Sequence, residues 1–211
     1  IRYENYTRGI DAVFNYGIFN FNAPNFILRF ALGETDYQLG VTDYERFAAE
    51  YYYLERDVWQ QELNLTAQEK GKLVMLLEEN YRPENRIYRY NFFYDNCATR
   101  PLQYADDMTD SDSGISFRDL LHKYSKGHPW SRFGMDLCMG SQADKTINRR
   151  LMMFVPFYVQ EYFNQARIVN KEGETRPLVL NEEKIIVTGN EEAEQPSDGF
   201  TPMQAALLLL I

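Results

Sequence analysis

A chain of 211 residues, 45% hydrophobic and 15% aromatic, can bury one sizeable core, and its length fits one domain rather than two. Its 31 acidic against 22 basic residues leave a net charge of -9 with no Lys/Arg cluster to offset it, which repels phosphate backbones and anionic head groups at long range and argues against nucleic acid as a partner. Two cysteines, Cys97 and Cys138, are too few for a disulfide framework, although one bridge between them stays open in an oxidising compartment.

The opening "IRYENYTRGIDAVFNYGIFNF" places β-branched and aromatic residues on either side of "NYTRG", which reads as two strands joined by a turn, with more chain expected before Ile1. In "VTDYERFAAEYYYLERDVWQQELNL" a capping box, Thr42 with Glu45, precedes Phe47, Tyr51, Leu54 and Val58 at helical spacing. A second box, Thr66 with Glu69, opens a helix whose Leu73, Leu76, Leu77 and Tyr81 share one side. "RIYRYNFFY" alternates Tyr88, Tyr90 and Phe92 with polar residues, the period of a strand that ends at Asp95-Asn96. From Cys97 the pattern turns helical, and Pro101 is tolerable only in a first turn, so the helix is expected to start at or beside the cysteine.

Further along, Ser116 with Asp119 caps a short helix ending near Gly127. Asp144 is expected to cap a longer one bearing Ile147, Leu151, Phe154 and Tyr158, bent at Pro156, and "RPLVLNEEKIIVTG" to close as a β-hairpin. Strands and helices alternate irregularly, which favours an α+β fold. The chain thus divides into a domain at 1–188, an acidic Pro/Gly linker at 189–200 and an apolar segment at 201–211, where Thr201 caps and Pro202 begins a helix. A core helix and the start of a transmembrane helix fit that composition equally; the segment is assigned here to the second.

A cysteine at the start of a helix that follows a strand is well placed for chemistry, because first-turn amides and the helix dipole stabilise its thiolate. Arg100, one turn on, adds positive charge or binds a substrate head group. The competing reading makes Cys97 a small hydrophobe under the aromatics. A nucleophilic cysteine needs a base: His122 falls on a helix as a surface or core-edge residue, whereas His128, in the loop "KGHPW", is able to reach a cleft. Cys138, among Phe133, Met135, Leu137 and Met139, reads as buried and inert, and no carboxylate spacing defines a metal cage.

The blocks "FNYGIFNF", "LNLTAQEK", "YRPENRIYRYNFFYDNCATRP", "FRDLLHKYSKGHPWSRFGMDLCMGSQAD" and "MMFVPFYV" resemble the amino-terminal extracytoplasmic domain of the Lnb-type lipoprotein N-acyltransferase family of bacterial inner-membrane proteins. The "NC" of "YNFFYDNC" is also similar to the nucleophile motif of circularly permuted NlpC-type, papain-like enzymes. The resemblance implies a permuted NlpC-like (papain-like) core with additional helices, on the periplasmic side of the inner membrane. It implies that Cys97 takes an acyl chain from a membrane lipid as a thioester and passes it to the α-amine of a lipoprotein's N-terminal cysteine, with no cofactor. Asn96 would orient the base or serve the oxyanion. Tyr94, Tyr16 and Asn15 belong to the matched blocks and are placed on the substrate side with Arg100, against a packing or turn role for each. The family's histidine lies in a Gly-His motif whose downstream end corresponds to Ile1-Arg2, so the general base is expected just upstream, with His128 as the alternative. A papain-like peptidase or amidase using Cys97 and a non-catalytic envelope binding module are the rival functions.

Overall fold

The computed structural model describes residues 1–20, 22–31, 33–104, 112–170, 172–188 and 201–202, with both helices and antiparallel sheets, an α+β fold. The chain forms two compact units, one from Ile1–Asp106 with Met153–Asn190, the other from Asp107–Met152 with Glu191–Ile211.

The first unit is built on a four-stranded antiparallel sheet. Strands β1 (Arg2–Asn5) and β2 (Ile10–Ile18) form the expected hairpin, with Arg2 opposite Val13. The turn closes because the Asn5 side chain accepts from the Arg8 amide and Gly9 supplies a left-handed φ of 61°. After α1 (Phe26–Ala31) comes β3 (Asp36–Asp43), which pairs with β2, and then α2 (Tyr44–Tyr53). The β2–β3 register shifts between Asn15 and Ile18, in the "NYGI" stretch.

Two expectations fail here. The Thr42–Glu45 box does not form: Asp43 occupies the N-cap without a side-chain bond. Nor does α2 continue through Val58. It stops at Tyr53, Glu55 turns with φ 53°, and Val58–Leu63 becomes strand β4. Asp57 fixes the change of direction by accepting from the Thr188 amide at 2.9 Å and from its hydroxyl at 3.0 Å. Helix α3 (Ala67–Tyr81) does carry its capping box, and it buries Leu77. Strand β5 (Ile87–Arg89) then joins β3 with Tyr88 opposite Tyr37, giving the order β1-β2-β3-β5. It is shorter than its alternation predicts, and the alternation holds only in part: Tyr88 and Tyr90 are buried and Arg89 is exposed, but Phe92, past the strand's end, is exposed. With Phe14, Tyr16, Tyr37, Leu39 and Leu77 they make one core cluster, in which Tyr37 and Tyr90 stack with centroids 4.1 Å apart.

In the second unit β6 (Asp112–Ser116) leads into α4 (Phe117–Tyr124), which buries Phe117, Leu120 and Leu121. Its Ser116–Asp119 capping box is present. Helix α5 (Pro129–Cys138) follows, with His128 at its N-cap. The long helix expected from Asp144 does not exist. Lys145 is extended, and β7 (Thr146–Asn148) pairs with β6 before the short α6 (Arg149–Met152).

The chain then returns to the first unit. Proline 156 opens a separate helix, α7 (Pro156–Gln165), because Val155 before it is held extended. The expected "RPLVLNEEKIIVTG" hairpin is likewise replaced. Strand β9 (Thr175–Pro177) pairs back with β8 (Arg167–Val169), and β10 (Val179–Ile186) pairs with β4. The linker assigned at 189–200 and the apolar residues 203–211 of the expected helix lie outside the described residues. Among the described residues no helix is long and apolar enough to cross a membrane.

Candidate functional site

Cys97 stands in a tight turn between the core strand β5 and a 3-10 helix at Arg100–Tyr104, so the α-helix expected to begin at the cysteine is absent. What shapes the turn is Asn96. Its side chain is buried and fully engaged: Oδ1 accepts from the amides of Ala98 at 2.8 Å and Thr99 at 2.9 Å, while Nδ2 donates to the carbonyls of Phe92 at 3.0 Å and Phe154 at 2.9 Å. Both amide hydrogens are thus committed to the backbone, which makes Asn96 the frame of the Cys97 turn. The preceding loop is closed in the same manner: Asn91 and Asp95 exchange two backbone bonds at 3.0 Å, and the Asn91 side chain accepts from the amides of Phe93 and Tyr94.

Behind the thiol lies the "NYG" of β2. A Cβ built on Gly17 would lie in ordinary contact with the Cys97 Cβ at 3.7 Å and press on Asn15 Oδ1 at 3.2 Å, so Cys97 lies beside this strand and the glycine spares the Asn15 side chain. The Gly17 amide donates to Asn15 Oδ1 at 2.8 Å, and the Tyr88 hydroxyl donates to the Tyr16 carbonyl at 2.5 Å; together they pin this peptide in place. Tyr16 itself is only 4% exposed and belongs to the core. Asn15 turns to its own backbone, and Tyr94 is exposed at the rim. Arg100 reaches Asp95 at 2.7 Å and lies 4.9 Å over the Tyr88 ring.

The electrostatics of Cys97 run opposite to the expectation of a stabilised thiolate. The residue is exposed, yet the dense aromatic shell behind it withdraws water from the sulfur. Burial therefore raises its pKa above the ordinary 9.0, and hydrogen bonds from the amides of Cys97 and Ala98 offset this only in part. The Tyr37, Tyr51, Tyr88 and Tyr90 phenols are also raised, chiefly by burial and further by a charge at Cys97. Burial raises Asp95 too, against the opposing pull of Arg100.

The histidines belong to the second unit. His128 is exposed, and its backbone amide bonds the Ser125 carbonyl at 3.0 Å. His122 is the engaged one. Its Nε2 meets Asp136 at 2.8 Å and its Nδ1 faces Arg132 at 3.0 Å, while Arg118 bridges Asp136 at 2.7 Å and Asp144 at 2.5 Å. Cys138, expected to be buried, is exposed at the end of α5, as are Phe133 and Leu137, while Met135 and Met139 are half-buried. Sequence reasoning missed this network and the part played by Gly17. A glycine within a strand pattern was the available signal for the second.

An α+β domain that carries an exposed cysteine on an asparagine-framed turn, laid over a strand glycine, is the class this architecture defines. The model of the Lnb N-terminal periplasmic domain matches residues 1–129, and the chain belongs to that family. It is a periplasmic domain, located at the membrane. No curated protein matches the chain, and no solved structure does.

Proposed function

We propose that this domain is the extracytoplasmic catalytic part of a membrane lipoprotein N-acyltransferase with a permuted papain-like plan. The Cys97 sulfur attacks the ester carbonyl of a membrane lipid, forming a thioester and releasing the lipid's alcohol. The α-amine of a lipoprotein's N-terminal cysteine then attacks the thioester, forming an amide and returning the thiol. The observation that carries the reading is the placement of Cys97: exposed, beside Gly17 of β2, on a turn that the Asn96 side chain holds in shape. The Cys97 amide suits a developing oxyanion, while the Ala98 hydrogen is given to Asn96 Oδ1 and holds the turn. Tyr94 and Arg100 face the substrate in this reading, while Asn15, Tyr16 and Asn96 hold the turn and the strand beneath it.

A thiol with a raised pKa needs a base to ionise it. Strand β1 supports the upstream assignment: Ile1 exchanges bonds with Phe14 at 2.8 Å, so residues continuing β1 in that register come opposite Asn15 and Tyr16, beside the strand on which Cys97 rests. His128 is the alternative base. Intact-mass detection of an acyl adduct on Cys97 tests both. The adduct is expected on a chain extended upstream through the Gly-His block and absent from residues 1–211 alone. A thioester on the shorter chain that disappears in His128→Ala assigns the base to His128. In cells, Cys97→Ser in the full-length protein should abolish lipoprotein N-acylation while the domain keeps its fold, since sulfur and oxygen differ little in size but greatly in nucleophilicity. Undiminished acylation overturns the assignment. The raised thiol pKa favours a second reading, a non-catalytic envelope binding module, for which no adduct forms on any chain.

A further inference from the structure

Helix α2 lies on the same face of the four-stranded sheet as Cys97. Phe14 and Val41 stand opposite each other in the β2–β3 ladder and pack with Leu73 and Leu77 of α3, so the alternation of the strands turns Val13, Asn15 and Gly40 to the other face. Arg2, paired with Val13, carries its guanidinium 3.6 Å over the Tyr44 ring, which puts the start of α2 on that face too. Gly17 looks the same way, since a Cβ on it would meet both Asn15 Oδ1 and the Cys97 Cβ. Tyr44, Phe47 and Tyr51 share one side of α2, their rings following one another at 6.3 and 4.5 Å, and the helix packs on β2 and β3. Unlike α3, which buries Leu77, α2 buries no residue, and these three rings are only half covered. From β2, Ile18 lies across β3 over Gly40, where a Cβ would collide with its tip, and it is 39% exposed.

The result is an open apolar strip, with Phe47 and Tyr51 along its side and Ile18 in its floor. It begins at the cysteine: the Tyr51 phenol is raised first by burial, then by Glu50, and also by a charge at Cys97, which therefore lies within its reach. It ends two helical turns away, about 10 Å, at Tyr44. There Arg2 closes it, held over the ring by its ion pair with Asp11 at 2.7 Å. Phe47, Tyr51 and Ile18 carry no charge at neutral pH, so the occupant they fit is linear, apolar and uncharged. We infer that this strip seats the acyl chain carried on the Cys97 sulfur, with Phe47, Tyr51 and Ile18 as the residues that select it and Tyr44 with Arg2 as its end stop. The occupant is named from the acyl-transfer reading, whereas the strip itself can be probed without that chemistry.

Alkyl methanethiosulfonates place a linear chain on the sulfur and need no catalytic base: the thiolate attacks the sulfenyl sulfur, an alkyl disulfide forms and methanesulfinate leaves. In the 211-residue chain carrying Cys138→Ser, Cys97 is the one thiol, and intact mass follows its modification by the octyl and the ethyl reagent. Each rate is divided by that of the same reagent with glutathione. The octyl rate should exceed the ethyl rate by roughly tenfold or more, because methylenes on the strip leave water. Phe47→Ser and Ile18→Ser, made separately and compared at native circular dichroism, should each lower that ratio roughly threefold or more. Ile18, being partly exposed, keeps the test decisive if Phe47→Ser misfolds. A ratio near one overturns the inference, as does a ratio unmoved by whichever variant folds, or one that persists when the chain is unfolded in urea. Absence of a chain-length preference, with an acyl adduct still forming on the extended chain, removes the strip and leaves acyl transfer standing; a preference without any adduct does the reverse.

Discussion

Asn96 concentrates the stability of the Cys97 turn in one side chain. Replacing it with Ala removes five hydrogen bonds of a buried side chain, which should cost about 2–4 kcal/mol in urea unfolding. Asn96→Asp should do no better, since a second carboxylate oxygen would then confront the carbonyls of Phe92 and Phe154. A loss below about 0.5 kcal/mol would show that the turn is held by other means. Cys97 yields a separate prediction. Below its pKa the thiolate fraction rises about tenfold per pH unit, and burial places that pKa above 9.0. The iodoacetamide rate at Cys97 in residues 1–211 should therefore still be climbing at pH 9, and a plateau near neutrality would reveal an activating cation. Cys138, being exposed, should be labelled in the native state too.

At the scale of elements, caps decide which helices the sequence announces correctly. Ser116→Ala should cost about 1 kcal/mol, because its hydroxyl accepts from the Asp119 amide at 3.1 Å and meets the Asp119 carboxylate at 2.7 Å. Asp43→Ala, at a helix start without a cap bond, should change stability by less than about 0.5 kcal/mol; equal losses from the two in denaturant melts would contradict this contrast. Both boxes that form, at Thr66 and Ser116, were legible in the sequence, as were the first hairpin and the alternating Tyr88 and Tyr90. Val58 was misread because it keeps helical spacing with Leu54, while the partner that makes it a strand, Ile186, lies far along the chain. The same limit hid β7 and broke the Asp144 helix. Cys97 was legible as a motif, but its electrostatics were not: the shell that raises its pKa comes from β3 and β5, a tertiary fact that no local pattern carries.

For the molecule as a whole, acid should be the weak side. Hydrogen bonds hold several carboxylates below their usual range: Asp57 through Lys184 and Thr188, Glu69 through the Thr66 amide and Arg176, Asp119 through Ser116, and Glu182 through Asn164. Burial acts to raise Asp136, but the bonds from His122 and Arg118 keep it low. A depressed folded-state pKa gives stability that is complete above the unfolded value and is lost as pH falls through the folded one. Unfolding free energy should thus hold level above about pH 5 and decline progressively below the ordinary 4.5 of a glutamate. Stability that rises on acidification through this window would show that relief of the net charge of -9 outweighs these bonds.

The interleaving of the two units imposes an order on folding as the chain emerges. Residues 112–152 bring β6, α4, α5 and β7 out together, so their contacts are local. The first unit closes late, because β4, at Val58–Leu63, has no sheet partner until Val179–Ile186 follows it. During delivery through a narrow exit, β4 presents a bare strand edge for more than half of the chain's passage. A holding chaperone on the far side of that exit would find its binding site there, and its hold would end when β10 arrives.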